Sequence, residues 1–376
     1  MKIHNQLLFY GQLIYSSQKL FGSNKKRKTF ASQVKLSVEE VKDIKSLWSG
    51  IKIKDYWFRW YKYKIQLESQ RDLDIRMQAV APVQISHYIP DDLYFMFFCR
   101  HFSNIEACAA FDDKNLYDLY FPGIKMPQTL FRRMNGCLLN KYYSPIKEDE
   151  ALEIIRAEET VIMKASVDSS GGKGVRFMNK KDGDSVISEA LCGSENYIVQ
   201  KVIRQHNLLS DIHSSSINTI RIVTLYYQGE VCVLSGIVRM GIGESRVDNS
   251  SSGGIFCGIT DDGHMKKYAY NKWLNCYSTH PTSGFVFAGT TVPGYDEAKR
   301  LCKDLHLRFI QLSRLISWDL AVDIDGTPIL IEPNFACGDI DFHQIANGPL
   351  FGDFTEIVIR DVFGNKVNRK LNKLFY

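Results

Sequence analysis

The sequence predicts a mixed helix-and-strand protein, α+β or α/β, behind a helical N-terminal region. Two observations carry that prediction. From about Pro82 onward, short runs rich in β-branched and aromatic residues alternate with stretches of helical periodicity. The first 65 residues contain no such alternation and read as helical and basic. The expected organisation is therefore a helical region over residues 1–85 and one larger α+β domain over residues 86–376.

In the N-terminal region, MKIHNQLLFYGQLIYSSQKLF is moderately amphipathic and leads into the basic run Lys25–Lys28. That composition suits a segment lying on an anionic membrane surface, and equally a solvated loop after a packed helix. Ser37 and Glu40 then form a capping-box pattern, followed by Val38, Val41, Ile44, Leu47 and Trp48 at helical spacing. The stretch DYWFRWYKYKI mixes aromatic and basic residues. It is read as buried rings with snorkelling Lys and Arg stems rather than as a nucleic-acid stacking surface.

In the larger domain, TVIMKAS, NYIVQKVI, TIRIVTLYY, EVCVLSGIVRM and PILIEPN read as strands. Between them, DEAKRLCKDLHLRFIQLSRLI places Ala298, Leu301, Cys302 and Leu305 on one helical face. No internal repeat or low-complexity linker interrupts the pattern.

Bulk properties bound the function. The 376 residues are 45% hydrophobic and 24% charged, a globular composition with room for two or three folding units. No run of about 18 uncharged apolar residues occurs, and no signal-peptide pattern opens the chain, so a cytoplasmic protein is expected. The basic N-terminus leaves room for peripheral contact with the inner face of the membrane. Nine scattered cysteines without a C-x-x-C pair predict reduced thiols and no zinc site. A net charge of +5 allows a small anionic partner but is too diffuse to argue for nucleic acid.

Three constellations carry chemistry. The first is KASVDSSGGKGVRFM, where Ser169, Ser170, Gly171, Gly172 and Gly174 lie between two apolar strands. A Gly-rich hairpin lets backbone N–H groups approach an anion, Lys173 adds a positive charge, and Lys164 stands just upstream. Neither the P-loop nor the Rossmann spacing is present, and a plain flexible turn is the simpler alternative.

The second is SWDLAVDIDGTPILIEPN, an apolar pair of strands that ends on polar residues. Glu332 and Asn334, two apart in a strand, share a face, and Asp319 meets them if the chain turns at Asp325 and Gly326. Two carboxylates and an amide oxygen form a set suited to Mg²⁺. Asp323 competes with Asp319 for the ligand position. The third is a pair of arginines, Arg221 and Arg239, emerging from apolar strands. Arginine there needs an anion, either a ligand or a structural salt bridge. Arg246 and the donor-rich run Asp248, Asn249, Ser250–Ser252, Gly253 and Gly254 follow directly.

Taken in order, Lys164, the Gly-rich loop, YIVQKVI, the paired arginines, DNSSSGG and the closing E-x-N resemble the ATP-grasp superfamily over about residues 86–360. The resemblance is closest to the branch associated with sugar transfer and polysaccharide biosynthesis. The C-terminal motifs are also similar to those of ribosomal-protein glutamate ligases. It implies an ATP-grasp fold, two α+β subdomains gripping ATP, with a hinge near residues 197–207. It further implies Lys114 and Lys164 as ATP-binding lysines, the backbone of Lys201 and Ile203 on the adenine edge with Gln200 beside it, and His206 or Asn207 near the ribose. Asn249, Gly253 and Gly254 would lie over phosphate, and Asp319, Glu332 and Asn334 would hold one or two Mg²⁺ ions.

The implied reaction is ATP-dependent carboxylate–amine ligation through an acyl phosphate, with Arg221, Arg239 and Lys173 neutralising developing charge. The expected partners are a small-molecule or glycan carboxylate and an amine. A phosphotransferase and a non-catalytic ATP-binding component of a glycan-assembly complex are the alternatives. His206, His213 and His343 are isolated, and no nucleophile elbow is present.

Overall fold

The computed structural model describes residues 35–49, 60, 62–64, 66–68, 84–167, 174–192, 195–336, 338–365 and 369. The expectations for the amphipathic N-terminus with Lys25–Lys28, and for Ser169, Ser170, Gly171, Gly172 and Lys173, lie outside the described residues. By packing, the chain divides into two units. One comprises Met1–Ile105, Ser313–Leu315 and Ala336–Tyr376, the other Glu106–Leu312 and Ile316–Phe335.

In the first unit the capping box forms as expected. Glu40 N–H donates to Ser37 Oγ at 3.1 Å and Ser37 N–H to Glu40 Oε2 at 2.7 Å, starting the helix Val38–Leu47. Its buried face is shorter than the periodicity predicts, because Val38 at the first position is 86% exposed while Ile44 and Trp48 are fully buried. Trp60 and Tyr63 are buried with them, as the snorkelling reading requires. Trp48 and Trp60 meet edge to face at 5.4 Å, and Tyr63 stacks on Tyr88 at 4.5 Å. Lys62 bridges Asp91 and Asp341, so its buried amine is compensated by two carboxylates.

The second unit contains two sheets built of antiparallel pairs and flanked by helices, an α+β architecture. The smaller sheet comprises β1 (Thr129–Met134), β2 (Cys137–Asn140), β3 (Thr160–Ala165), β4 (Arg176–Asn179) and β5 (Tyr197–Lys201), in the order β2-β1-β5-β3-β4. Side chains alternate between faces of a strand, and the register sorts them. Phe131, Val161, Met163, Met178 and Val199 face the helices Glu148–Arg156 and Asp184–Leu191 and form that core. Arg132 and Lys164 both pair across Ile198 and therefore share the opposite face.

The larger sheet comprises β6 (Thr219–Tyr227), β7 (Glu230–Met240), β8 (Ile255–Ile259), β9 (Met265–Tyr270), β10 (Cys276–Tyr277), β11 (Leu315–Val322) and β12 (Pro328–Asn334), in the order β10-β9-β8-β7-β6-β11-β12. The helix Tyr295–Arg308 covers one face. His306 Nδ1 meets Thr224 Oγ1 at 2.6 Å, and Trp318 Nε1 donates to the same hydroxyl at 2.8 Å. A Cβ on Gly236 would lie 2.2 Å from Tyr295 Oη, so glycine sets how closely helix and sheet approach. With Thr224 and Trp318 on the helix side, the odd-numbered Thr219, Arg221 and Asp319 fall on the other. Pro333 is tolerated because β12 is an edge strand.

Candidate functional site

That second face of the large sheet gathers the charged residues. Asp319 pairs with Glu332 across β11 and β12, and Ser317 with Asn334 two residues away. The register slips between Asp319 and Leu320, where Leu320 faces Leu330 and Ile331 is left over as a bulge. A bulge beside Glu332 re-aims the end of the strand, and nothing in the residue types signals it. Asn334 Nδ2 donates to Ser317 O at 3.2 Å, and its side chain also supports Asp319. The structure thus brings Asp319, Glu332 and Asn334 together. Asp323 instead pairs with Lys125 and accepts the N–H groups of Asp325 and Thr327 at 3.1 and 2.9 Å, capping the turn.

The arginines converge on the same point. Arg221 donates to Asp319 twice, Nε to Oδ1 and Nη2 to Oδ2, at 2.6 Å each. Arg239, directly across from Thr219 in β6, reaches Asp319 Oδ2 at 3.4 Å, Asp248 Oδ1 at 3.5 Å and Asn249 Oδ1 at 2.6 Å. Burial alone raises the Asp319 carboxyl, but Arg221 and Arg239 outweigh it and hold the group below the usual carboxylate range. A salt-bridge role for the arginines is therefore real, while Arg239 Nε remains buried with no partner among the described residues.

The run 248–254 is a folded turn. The N–H groups of Ser252 and Gly254 donate to Asn249 O and that of Gly253 to Ser250 O, and Gly253 adopts φ +95°. A Cβ on Gly254 would lie 2.4 Å from Asp248 O, so only glycine closes the turn. Its effect is to aim Asn249 at Arg239 and Asp248 at Arg239 and Thr219. Arg246 leaves this group and lies over the Phe177 ring of β4 at 3.5 Å, against the strand that begins just after Gly174.

The two lysines enter from the smaller sheet. Lys114 opens a short 3-10 turn, Lys114–Leu116, tied to the end of β3 by its N–H to Ser166 O at 2.9 Å, and its amine donates to Glu332 Oε1 at 3.1 Å. Lys164 has no hydrogen-bond or ion-pair partner among the described residues. Burial and the neighbouring Lys114 push its amine down to about 8, against the opposing pull of Glu332 and Asp248. Arg132, not singled out from the sequence, is fully buried on the same face as Lys164. It pairs with Asp118, donates to Asn115 O and lies 4.0 Å over the Tyr143 ring, bracing the turn that carries Lys114. The doubled arginine of LFRRM was the available signal, since adjacent strand residues must face opposite ways.

The predicted hinge residues lie where the chain leaves the smaller sheet for the larger. Gln200 Nε2 donates to Pro127 O at 3.4 Å, Lys201 N–H to Gln128 O at 2.9 Å, and Ile203 falls in the irregular stretch 202–204. His206 N–H then donates to Val322 O of β11 at 2.9 Å, and its Nδ1 accepts Leu208 N–H at 3.2 Å, capping the helix that Asn207 begins. These side chains are thus partly spent on structure. Asp341 and His343 belong to the first unit, where Asp341 is paired with Lys62 and His343 is fully buried.

Residues 97–357, well over half the chain, match the sugar-transfer associated ATP-grasp family. The chain belongs to that family. No curated protein matches the sequence. Among solved structures, it is similar to D-alanyl-alanine synthetase A from Vibrio cholerae O1 biovar eltor, at 14% identity and a TM-score of 0.43 over 70% of this chain and 68% of that one. It is also similar to an L-amino acid ligase from Bacillus licheniformis, at 13% and 0.39 over 69% and 49%. A third is the biotin carboxylase domain of the 2-oxoglutarate carboxylase of Hydrogenobacter thermophilus, in complex with MgADP, ADP and bicarbonate, at 14% and 0.43 over 80% and 57%. This ATP-grasp chain spans less than two thirds of the last two.

Proposed function

We propose that this ATP-grasp chain is an ATP-dependent carboxylate–amine ligase working through an acyl phosphate, with a glycan or glycan precursor as one substrate. The observation that carries the reading is Lys164. A partly buried amine beside a second lysine and without an anion of its own marks a place where an anion belongs. Arg239 Nε, likewise unmatched among the described residues, supports the same conclusion. The sugar part rests on the family's association with sugar transfer.

The residues fit the groups this reading needs. Among the described residues no cluster of three or more His, Cys, Asp or Glu is arranged for a metal. Two carboxylates and an amide oxygen nevertheless suit Mg²⁺, which completes its shell with phosphate oxygens and water. Asp319, Glu332 and Asn334 would hold one or two ions, and bound Mg²⁺ would supply Lewis-acid neutralisation of the nucleotide's phosphates. Lys114 and Lys164 would bind phosphate oxygens of ATP. Lys201, Ile203 and Gln200 would lie at the adenine and His206 or Asn207 at the ribose, with residues 86–376 as the ATP-grasp domain hinged near 197–207.

A substrate carboxylate oxygen attacks the γ-phosphorus and ADP departs, leaving an acyl phosphate. An amine then attacks the acyl carbon, the C–O bond to phosphate breaks, and the amine's proton is lost as the amide forms. Arg221, Arg239 and Lys173 stabilise charge on the transferring phosphoryl group and on the leaving phosphate. Among the described residues no helix is long and apolar enough to cross a membrane. A cytoplasmic protein touching the inner face of the membrane through its basic N-terminus is part of the same proposal.

The test is calorimetry with ATP, ADP and GTP, with and without Mg²⁺, on wild type and Lys164→Met, followed by phosphate release with paired carboxylates and amines. Adenine-selective, Mg²⁺-dependent binding weakened by the substitution is expected. Absence of nucleotide binding in folded protein would overturn the reading.

A further inference from the structure

Beside the charged cluster lies a phenol that the fold leaves unmatched. Tyr117 is 5% exposed, and its Oη is buried with no hydrogen-bond partner among the described residues. A buried hydroxyl without an acceptor costs free energy unless a bound group takes its proton.

Local backbone geometry sets which way this side chain leaves the chain. The 3-10 turn Lys114–Leu116 runs straight into the helical turn Tyr117–Tyr120. Leu116 N–H donates to Asp113 O at 3.0 Å, and Phe121 N–H to Tyr117 O at 2.9 Å. In a 3-10 turn residues three apart lie above one another, so Tyr117 leaves on the side of Lys114. Lys114 Nζ is 3.1 Å from Glu332 Oε1, which brings that side to the carboxylate pair. The Tyr117 ring packs edge to face on Phe121 at 5.7 Å.

The charges that reach the phenol agree with that placement. Burial holds its pKa well above the ordinary tyrosine value, and Glu332, Asp112, Asp113 and Asp319 raise it further, in that order. The group therefore keeps its proton, yet none of these carboxylates takes a hydrogen bond from it. Glu332 accepts from Lys114, Asp113 from Asn115 N–H at 2.9 Å, and Asp319 from Arg221. Two further donors border the same pair without an acceptor among the described residues. Lys164 feels Glu332, and Arg239, which reaches Asp319, has its Nε unmatched. An amine, a guanidinium N–H and a phenol left unmatched beside one carboxylate pair call for an anion with several oxygens.

We propose that Tyr117 is a phosphate-binding residue whose Oη–H donates to an oxygen of the nucleotide's terminal phosphate beside Glu332. The inference rests on the proposed function and adds to it a contact that tells ATP from ADP. Glu332 and Asp319 are the carboxylates that would hold Mg²⁺, and a nucleotide's metal lies on its last two phosphates. Tyr117 lies in the field of both carboxylates, and Asp319 is the one gripped by the arginines assigned to the transferring phosphoryl group. A phenol there supplies one short, directional bond to a phosphate oxygen, where the lysines supply charge.

The experiment compares the full chain as wild type, Tyr117→Phe and Tyr120→Phe. Each is titrated calorimetrically, with Mg²⁺ present, with the non-hydrolysable β,γ-imido analogue of ATP and with ADP, and is unfolded thermally without nucleotide. Tyr120 is the control, because its ring packs on Phe111 at 4.6 Å and its Oη already donates to Ala110 O at 3.0 Å. Tyr117→Phe is expected to weaken binding of the ATP analogue about tenfold or more and to change ADP affinity less than about threefold. Its unfolding midpoint without nucleotide is expected at or above that of wild type, since the hydroxyl it loses makes no bond there. Tyr120→Phe is expected to leave both affinities unchanged. Unchanged affinity of Tyr117→Phe for the ATP analogue, an equal loss for ADP, or an equal loss in Tyr120→Phe would each overturn the inference. A lowered midpoint in Tyr117→Phe would overturn it too, by marking the hydroxyl as bonded within the fold. The two readings fail differently: wild type that binds neither nucleotide overturns both, whereas wild type that binds both and is matched by Tyr117→Phe overturns this inference alone.

Discussion

Arg221 grips Asp319 by both carboxylate oxygens, at 2.6 Å each, on the face of the large sheet away from its covering helix. Both residues are buried, so each is costly without the other. Arg221→Met or Asp319→Leu alone is expected to destabilise the chain by about 3–5 kcal/mol, because a buried charge loses its bidentate partner. The double substitution recovers most of that loss. Denaturant unfolding of the three variants checks it, and a double variant as unstable as the worse single one would contradict the pairing.

Lys164 provides a pH signature. Its amine titrates near 8 rather than at the ordinary lysine value, and an anion binds its protonated form. Nucleotide affinity in wild type is therefore expected to fall as pH rises through about 8. In the free protein the sign reverses: between about 8 and the unfolded lysine value the unfolded chain holds more protons, so raising pH through that window adds stability. Lys164→Met removes both dependences.

Among the described residues, neither Glu332 nor Asn334 is bonded directly to an arginine. Glu332 bonds Lys114 rather than an arginine, and Asn334 reaches Ser317 and Asp319. Glu332→Ala and Asn334→Ala are expected to weaken Mg²⁺-dependent nucleotide binding by about tenfold or more. Affinity measured without Mg²⁺ changes far less. A uniform loss with and without the ion would assign these residues to nucleotide contact instead.

His280 makes the strand after Arg239 sensitive to acid. Its Nε2 donates to Gly241 O at 2.8 Å, so Nδ1 is the acceptor for Thr282 and Ser283 N–H at 3.3 Å each. Burial lowers its pKa and His213 lowers it further, against the pull of Gly241 O. A histidine kept neutral in the fold contributes stability that is present above the unfolded value of about 6.5 and lost as pH falls below it. Thermal unfolding midpoints are expected to drop between about pH 6.5 and 5 in wild type, and less in His280→Gln.

Much of the fold was legible because it follows from local rules. The capping box at Ser37 and Glu40 needs only four residues and formed as written. The five strands read from β-branched runs are β3, β5, β6, β7 and β12, and the helix read from Ala298, Leu301, Cys302 and Leu305 is Tyr295–Arg308. Less visible were strands with mixed composition. β1 carries two arginines, and its sorting into Phe131 toward the helices and Arg132 toward the opposite, equally buried face depends on which neighbour it pairs with. Of the candidate site, Glu332 and Asn334 together with one of Asp319 and Asp323 were legible as a cluster because a two-residue period and a turn suffice to bring them together.

By itself the sequence determined element types, the family and the kinds of charged residue near the Gly-rich loop and the closing E-x-N, because these depend on composition, spacing and order along the chain. Only the tertiary structure decided which charges meet. Asp319 rather than Asp323 joins Glu332 because the strand register places it there, and the bulge at Ile331 sets the aim of the strand end. Lys114 and Glu332, 218 residues apart, meet through the packing of a short turn against the sheets. Charges pair across space under desolvation, and no property of either residue in its own stretch of sequence specifies the distance between them.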